Sequence, residues 1–245
     1  MQSFAQQLPV RLKVGTYNVG HFNQGELGGF QGRHSEAEAL KWKAWVGAQA
    51  LDIFGVQEWN EGFDKDSTMN AAEHILKPYY DHVYLGDRRT WIYNGIATHY
   101  KLANIRIKYW AGDYYALMGD LNLGGKTITV ISTHIPWQQK WHADALDLFV
   151  AELKKHEYFI CLGDMNAKDE EQLRFRKEGF NIANGGHQGW FVTAATGKVM
   201  NRAENLHIDN ILTSRNIKIM NVAAPYTGLN DQDHLPVTAD LIITD

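Results

Sequence analysis

The chain has 245 residues, enough for a sizeable buried core, with 44% hydrophobic and 21% charged residues. That balance excludes a disordered or fibrous chain, and a formal net charge of −4 excludes general polyanion binding by bulk charge. No segment approaches the roughly 18 apolar residues of a membrane span, and the one cysteine, Cys161, has no partner for an internal disulfide.

Val10 to Val19 reads as a first strand, ending at Asn18 and a Gly20 turn. Ser35-Glu36-Ala37-Glu38 has the form of a capping box, opening a helix to about Ala50 with Trp42, Trp45, Val46 and Gln49 at helical spacing. Asp52 to Gln57 is a short apolar strand, and a second helix is predicted over Ser67 to Leu76, stopped by Pro78. Strands then follow in series over Tyr79–Leu85, Tyr93–Thr98, Ile105–Tyr109, Tyr114–Leu121 and Thr127–Ser132, with a hairpin turn at Gly124-Gly125. Gln138 to Lys155 is an amphipathic helix whose buried stripe is Leu146, Phe149, Val150 and Leu153. A strand over Tyr158–Leu162, a short helix near Glu170–Lys177 and a loop-rich stretch from Asn184 to Glu204 come next. Strands Leu206–Leu212, Ile217–Val222 and Val237–Ile243 close the chain. No repeat or linker divides it. Residues 1–245 are therefore expected to form a single α/β domain, two mixed β-sheets packed face to face with helices outside.

Polar islands interrupt this apolar pattern. They are Thr16-Tyr17-Asn18, Gln57-Glu58, Thr133-His134, Gly163-Asp164-Met165-Asn166, Asp209 inside its strand, and Asp233-His234 before the last strand. Each is expected at or just beyond the carboxyl end of a strand, where layered α/β proteins collect functional groups. The carboxylates Glu58, Asp164 and Asp233, the amides of Asn18 and Asn166 and two imidazoles form a donor set for a hard cation. Magnesium, manganese or calcium suits it better than zinc.

In this order and spacing, from residue 14 to 240, the islands resemble the endonuclease/exonuclease/phosphatase superfamily, the deoxyribonuclease I-like fold. The resemblance implies a four-layer α/β sandwich and a divalent-metal-dependent phosphoesterase. Ser132-Thr133-His134 stands where abasic-site endonucleases carry a Tyr-x-Pro-Asn type motif, so the chain is more similar to the branches that pair two histidines across the phosphate. Three positions depart from the usual pattern: Asn210, His207 and Gln232.

By that resemblance Glu58 is the expected metal ligand, with Asn18 sharing the cation or orienting Glu58, and Asp233 is either a second ligand or an orienter. His234 is the expected general base for the attacking water, held by Asp209. His134 would donate to the phosphoryl oxygens or protonate the leaving group. The pair Asp164 and Asn166, two apart and so expected on one face of an extended segment, would position nucleophile and phosphate; the alternative for Asn166 is an Asx-turn after Gly163.

The substrate implied is a phosphate ester, nucleic acid first and a small-molecule or lipid-headgroup ester second. A metal-dependent binding module without catalysis is a third reading. Trp59, Trp137 and Trp190 are either stacking residues on the rim or core residues. Arg88-Arg89 and Arg174-Phe175-Arg176-Lys177 are the compact basic groups. A cytoplasmic monomer is expected, or a secreted protein if a leader is removed.

Overall fold

The computed structural model describes residues 8–23, 35–61, 69–87, 93–194, 206–229 and 233–244. Arg88-Arg89, Gln232, the start of the second helix and the end of the 184–204 loop lie outside them, as does the Ser35 side chain.

Twelve strands are described: β1 (Val10–Asn18), β2 (Ile53–Trp59), β3 (His82–Leu85), β4 (Tyr93–Thr98), β5 (Ala103–Ala111), β6 (Tyr114–Leu123), β7 (Lys126–His134), β8 (Phe159–Asp164), β9 (Asn181–Ile182), β10 (Asp209–Thr213), β11 (Ile217–Ala223) and β12 (Val237–Ile243). They form two six-stranded sheets, ordered β11-β12-β1-β2-β4-β3 and β5-β6-β7-β8-β10-β9. β1 pairs with β2, and β7 with β8, in parallel; the remaining pairs are antiparallel.

The inner faces meet in one apolar cluster, with Leu12, Val14, Ile53 and Ile96 from the first sheet against Leu117, Val130, Ile160, Leu162 and Ile211 from the second. Helix Ser35–Gln49 covers the first sheet, where Trp42 and Trp45 pack at a tilt on Tyr17 and Trp45 on Phe54. Helices Gln139–Leu153 and Asp169–Lys177 cover the second through Leu146, Phe149, Val150 and Phe175. The expected four layers are present. Among the described residues no helix is long and apolar enough to cross a membrane.

The second predicted helix is a π-helical turn, Ala72–Leu76, within the described residues. Its first amides are met by Asn70, whose Oδ1 accepts the Glu73 N–H at 3.0 Å, and Pro78 follows too soon for a longer helix. Several strands run further than expected, and three of the extensions carry a polar island: β2 through Glu58, β7 through His134 and β8 through Asp164. Strand-end polarity looks like a loop in sequence, but paired backbone continues beneath it.

Candidate active site

Two parallel pairs, β1 with β2 and β7 with β8, bring four carboxyl ends to one edge of the sandwich. They deliver Asn18, Glu58, His134 and Asp164 there. Asp209 and Asp233-His234 arrive differently. β10 is antiparallel to β8 and β12 to β1, so both reach this edge at their amino ends. The expectation that every island follows a strand's carboxyl end is therefore corrected for these two. Register does the rest: His134 and Asp209 are each paired with Asp164. Gly163 permits that closeness, because a Cβ on it would stand 2.4 Å from the Thr133 carbonyl oxygen.

Asp164 is the hub. Its Oδ2 accepts from Asn18 Nδ2 at 3.1 Å and lies 3.4 Å from His134 Nε2 and 3.8 Å from His234 Nε2. Its Oδ1 accepts the Asn166 backbone N–H at 2.8 Å. That Asx-turn, with Asn166 at φ 45°, is the alternative expected for Asn166 and stands in place of the extended segment. The Asn166 amide turns back to lie 3.0 Å from His134 Nε2, while donating to the Ile135 carbonyl at 2.9 Å. Asp164 and Asn166 thus converge on His134 through a turn.

His234 and Asp209 form a dry pair. The imidazole Nδ1 is 2.8 Å from Asp209 Oδ2, which leaves Nε2 turned towards Asp164 and, at 4.0 Å, Asp233 Oδ1. Asp209 is fully buried, its backbone N–H donates to Thr193 Oγ1 at 3.0 Å, and its Oδ1 has no hydrogen-bond partner among the described residues. Glu58 is wetter, its side chain 22% exposed. One oxygen accepts from Asn18 Nδ2 at 3.1 Å, and the other is 3.5 Å from His21 Nε2. Asn18 Oδ1 is engaged by the Gly20 N–H at 3.0 Å, so the Asn18 amide presents its donor side to the carboxylates.

These groups perturb one another. Burial, reinforced by the Asp209 charge, pushes the Asp164 carboxyl up to about 8, and burial also raises Glu58. Burial would lower His234, but the charges of Asp209, Asp233 and Asp164 outweigh it and hold the imidazole well above its usual value. His134, equally buried and facing His234 and His21, is lowered to about 3 and is therefore neutral. Burial lowers His21 to about 4 against the pull of Asp233. The two expected imidazoles are opposites: one held charged, one held neutral.

Asp164, Asp209 and His234 each offer a ligand atom within 4.8 Å of the others, a buried group that could hold a metal ion. Adjacent Glu58 widens the donor set. Clustered carboxylates with raised proton affinity, and an unmatched Asp209 oxygen, fit a hard divalent cation.

Of the tryptophans, Trp59 is 1% exposed and belongs to the core, packed on Phe22. Trp137 is 67% exposed beyond His134, and Trp190 lies against His207. Asn210, the departure beside Asp209, is a buried tie. Its Oδ1 accepts from the Ala183 and Asn184 amides, and its Nδ2 donates to Gln172 Oε1. Sequence reasoning missed His21, Tyr114 and Thr193. Tyr114 stands edge-on to the His134 ring at 5.0 Å. Gln57 was noticed only as a neighbour of Glu58, yet it joins the sheets, accepting from Thr16 Oγ1 and donating to Ser132 Oγ. A histidine three residues after the strand-end Asn18 was the one available signal for His21.

A family model described as the Endonuclease/Exonuclease/phosphatase family matches residues 15–234. Among solved structures, an endonuclease/exonuclease/phosphatase from Bacteroides vulgatus is similar at TM-score 0.71 and 16% identity, covering 95% of this chain and 98% of that one. One from Beutenbergia cavernae is similar at TM-score 0.69 and 13% identity, covering 96% and 72%. A D. rerio TDP2 humanized by 14 mutations is similar at TM-score 0.69 and 13% identity, covering 94% and 98%. No curated protein matches the chain.

Proposed function

The chain belongs to the endonuclease/exonuclease/phosphatase family, and from that premise we propose that it hydrolyses a phosphodiester by in-line attack of water, with a divalent cation, magnesium first, bound at Glu58. The observation that carries the reading is the 2.8 Å contact between Asp209 Oδ2 and His234 Nδ1. It orients the imidazole and aims Nε2 into the carboxylate cluster, where the base would take a proton from the attacking water.

His234 takes the proton of the attacking water, and Asp209 stabilises the resulting imidazolium. Asp164 orients that water through the oxygen it turns to both histidines. His134, neutral and steadied by Asn166 and the Tyr114 ring, directs its Nε2 edge at the phosphoryl oxygens. Asn18 orients Glu58 and Asp164 as a donor, and Asp233 contributes charge beside His234. When bound, the cation supplies positive charge to the phosphoryl oxygens and offsets the carboxylates that hold His234 protonated. Glu58 is the favoured ligand over the Asp209–His234 edge because its side chain has solvent access, whereas Asp209 is fully buried and commits Oδ2 to His234 Nδ1 at 2.8 Å.

Two histidines meeting on one aspartate favour the histidine-paired branch of the family, and hence a nuclease. Trp137, exposed beyond His134, offers a face on which a base can stack. Supercoiled plasmid, single-stranded RNA, bis-p-nitrophenyl phosphate and a phosphomonoester, each with magnesium, manganese or calcium and then chelator, test the reading. Chelator-sensitive nicking or diester cleavage supports it. Phosphate release from the monoester alone points to a phosphatase, and binding without turnover contradicts catalysis.

A further inference from the structure

We propose that His21 is a positioning residue that holds Glu58 in the orientation a divalent cation requires; this rests on Glu58 being the cation ligand. The two oxygens of Glu58 are addressed by different side chains. Oε1 accepts from Asn18 Nδ2 at 3.1 Å, and Oε2 lies 3.5 Å from His21 Nε2. A carboxylate approached by only one of them would be free to rotate about its last bond.

The backbone is built to bring the second contact about. Gly20, His21 and Phe22 have φ of 53°, 50° and 57°, and Glu58 has φ of 51°, a region that residues with a β-carbon rarely adopt. Glu58 sits where the register between β2 and β4 shifts, between Val56 and Trp59. Phe22 and Trp59, the residues following His21 and Glu58, meet edge to face at 4.8 Å in the core, and Phe22 also packs on Trp42 at 5.1 Å. The Phe22 N–H donates to the Val19 carbonyl at 2.9 Å, tying the turn to the end of β1. Packing of the two aromatic rings therefore sets the two residues before them side by side. His21 is buried with its imidazole against Glu58.

Manganese binding to the full chain, followed by the electron paramagnetic resonance signal of free Mn2+, tests this beside the manganese activation curve. His21→Asn is the discriminating variant, because asparagine tolerates a left-handed backbone but is too short to reach Glu58. Its Mn2+ dissociation constant is expected to rise by about 10-fold or more. The activation midpoint should move with it, while kcat at saturating manganese changes little. His21→Gln, which can reach Glu58 with an amide donor, should recover most of the affinity. Unchanged affinity in a folded His21→Asn, or a fall in kcat without a change in affinity, overturns the role of His21. An equal loss in His21→Gln, or collapse of both variants by circular dichroism, makes the residue structural and overturns it too. Absence of Mn2+ binding in the wild type defeats the cation reading itself, a different result.

Discussion

The acids at the site and the acids away from it are treated in opposite ways. Asp120 on β6 accepts from Arg106, Asn104 and Thr129, and Asp240 on β12 from Arg11 and Asn221. Glu152 is bonded by Lys155. Burial works against each of these carboxyls, but its partners prevail and the proton affinity falls. At the site, burial of Asp164 and Glu58 prevails, and the proton affinity rises. These three acids are matched by cationic side chains; Asp164 and Glu58 at the site are matched by amides and imidazoles. An edge that concentrates unmatched carboxylates costs stability and makes chemical sense where an external cation completes the set.

The largest expected effects come from removing members of the site. His234→Ala, Asp164→Ala and His134→Ala should each lower kcat by about 10²–10⁴-fold at saturating metal, with circular dichroism unchanged. Near-wild activity in metal-loaded His234→Ala would remove the base assignment.

Next in size is the pH dependence of metal-free stability. Asp164 binds its proton more tightly in the folded protein, at about 8, than in the unfolded chain, near about 4, so its stabilising contribution is lost as pH rises through that window. His234 acts in the same direction, being raised on folding. His134, lowered to about 3, acts oppositely, but its contribution changes only between pH 3 and about 6.5. Between pH 6.5 and 8, therefore, the melting temperature of metal-free protein should fall by roughly 5 °C, and saturating magnesium should flatten the fall. A flat or rising metal-free curve would contradict the contrast between the two sets of acids. The same proton should appear on binding: at pH 7, calorimetry in buffers of different ionisation enthalpy should show about one proton released per cation.

The smallest effect belongs to a matched acid. Asp120→Asn should lower stability by less than about 1 kcal/mol at pH 7. Because the Asp120 pKa is lowered on folding, that difference should shrink as pH falls below the ordinary carboxylate range, and urea titrations of the two proteins should converge there.

The layers were legible because hydrophobic periodicity reports burial: β12 runs over Val237–Ile243 as read, and helix Ser35–Gln49 ends within a residue of expectation. The six islands were legible because acids and imidazoles contradict the apolar runs that carry them. Direction was not. Nothing local in Asp209 or Asp233-His234 says that its strand runs antiparallel and enters the site from its amino end. His21 was hidden for a related reason, since its place depends on Phe22 finding Trp59 across a β2 bulge, a contact between distant stretches. Trp59, beside Glu58 in sequence, packs on Phe22 in the core instead of on the rim, a placement set by the same bulge.

Anomalous diffraction from crystals equilibrated with manganese tests the central claim most directly. The expected result is a manganese peak about 2.0–2.3 Å from a Glu58 carboxylate oxygen, on the side facing Asp164 and His234. No peak at that edge, or one held only by paired surface acids such as Asp120 or Asp240, would contradict it.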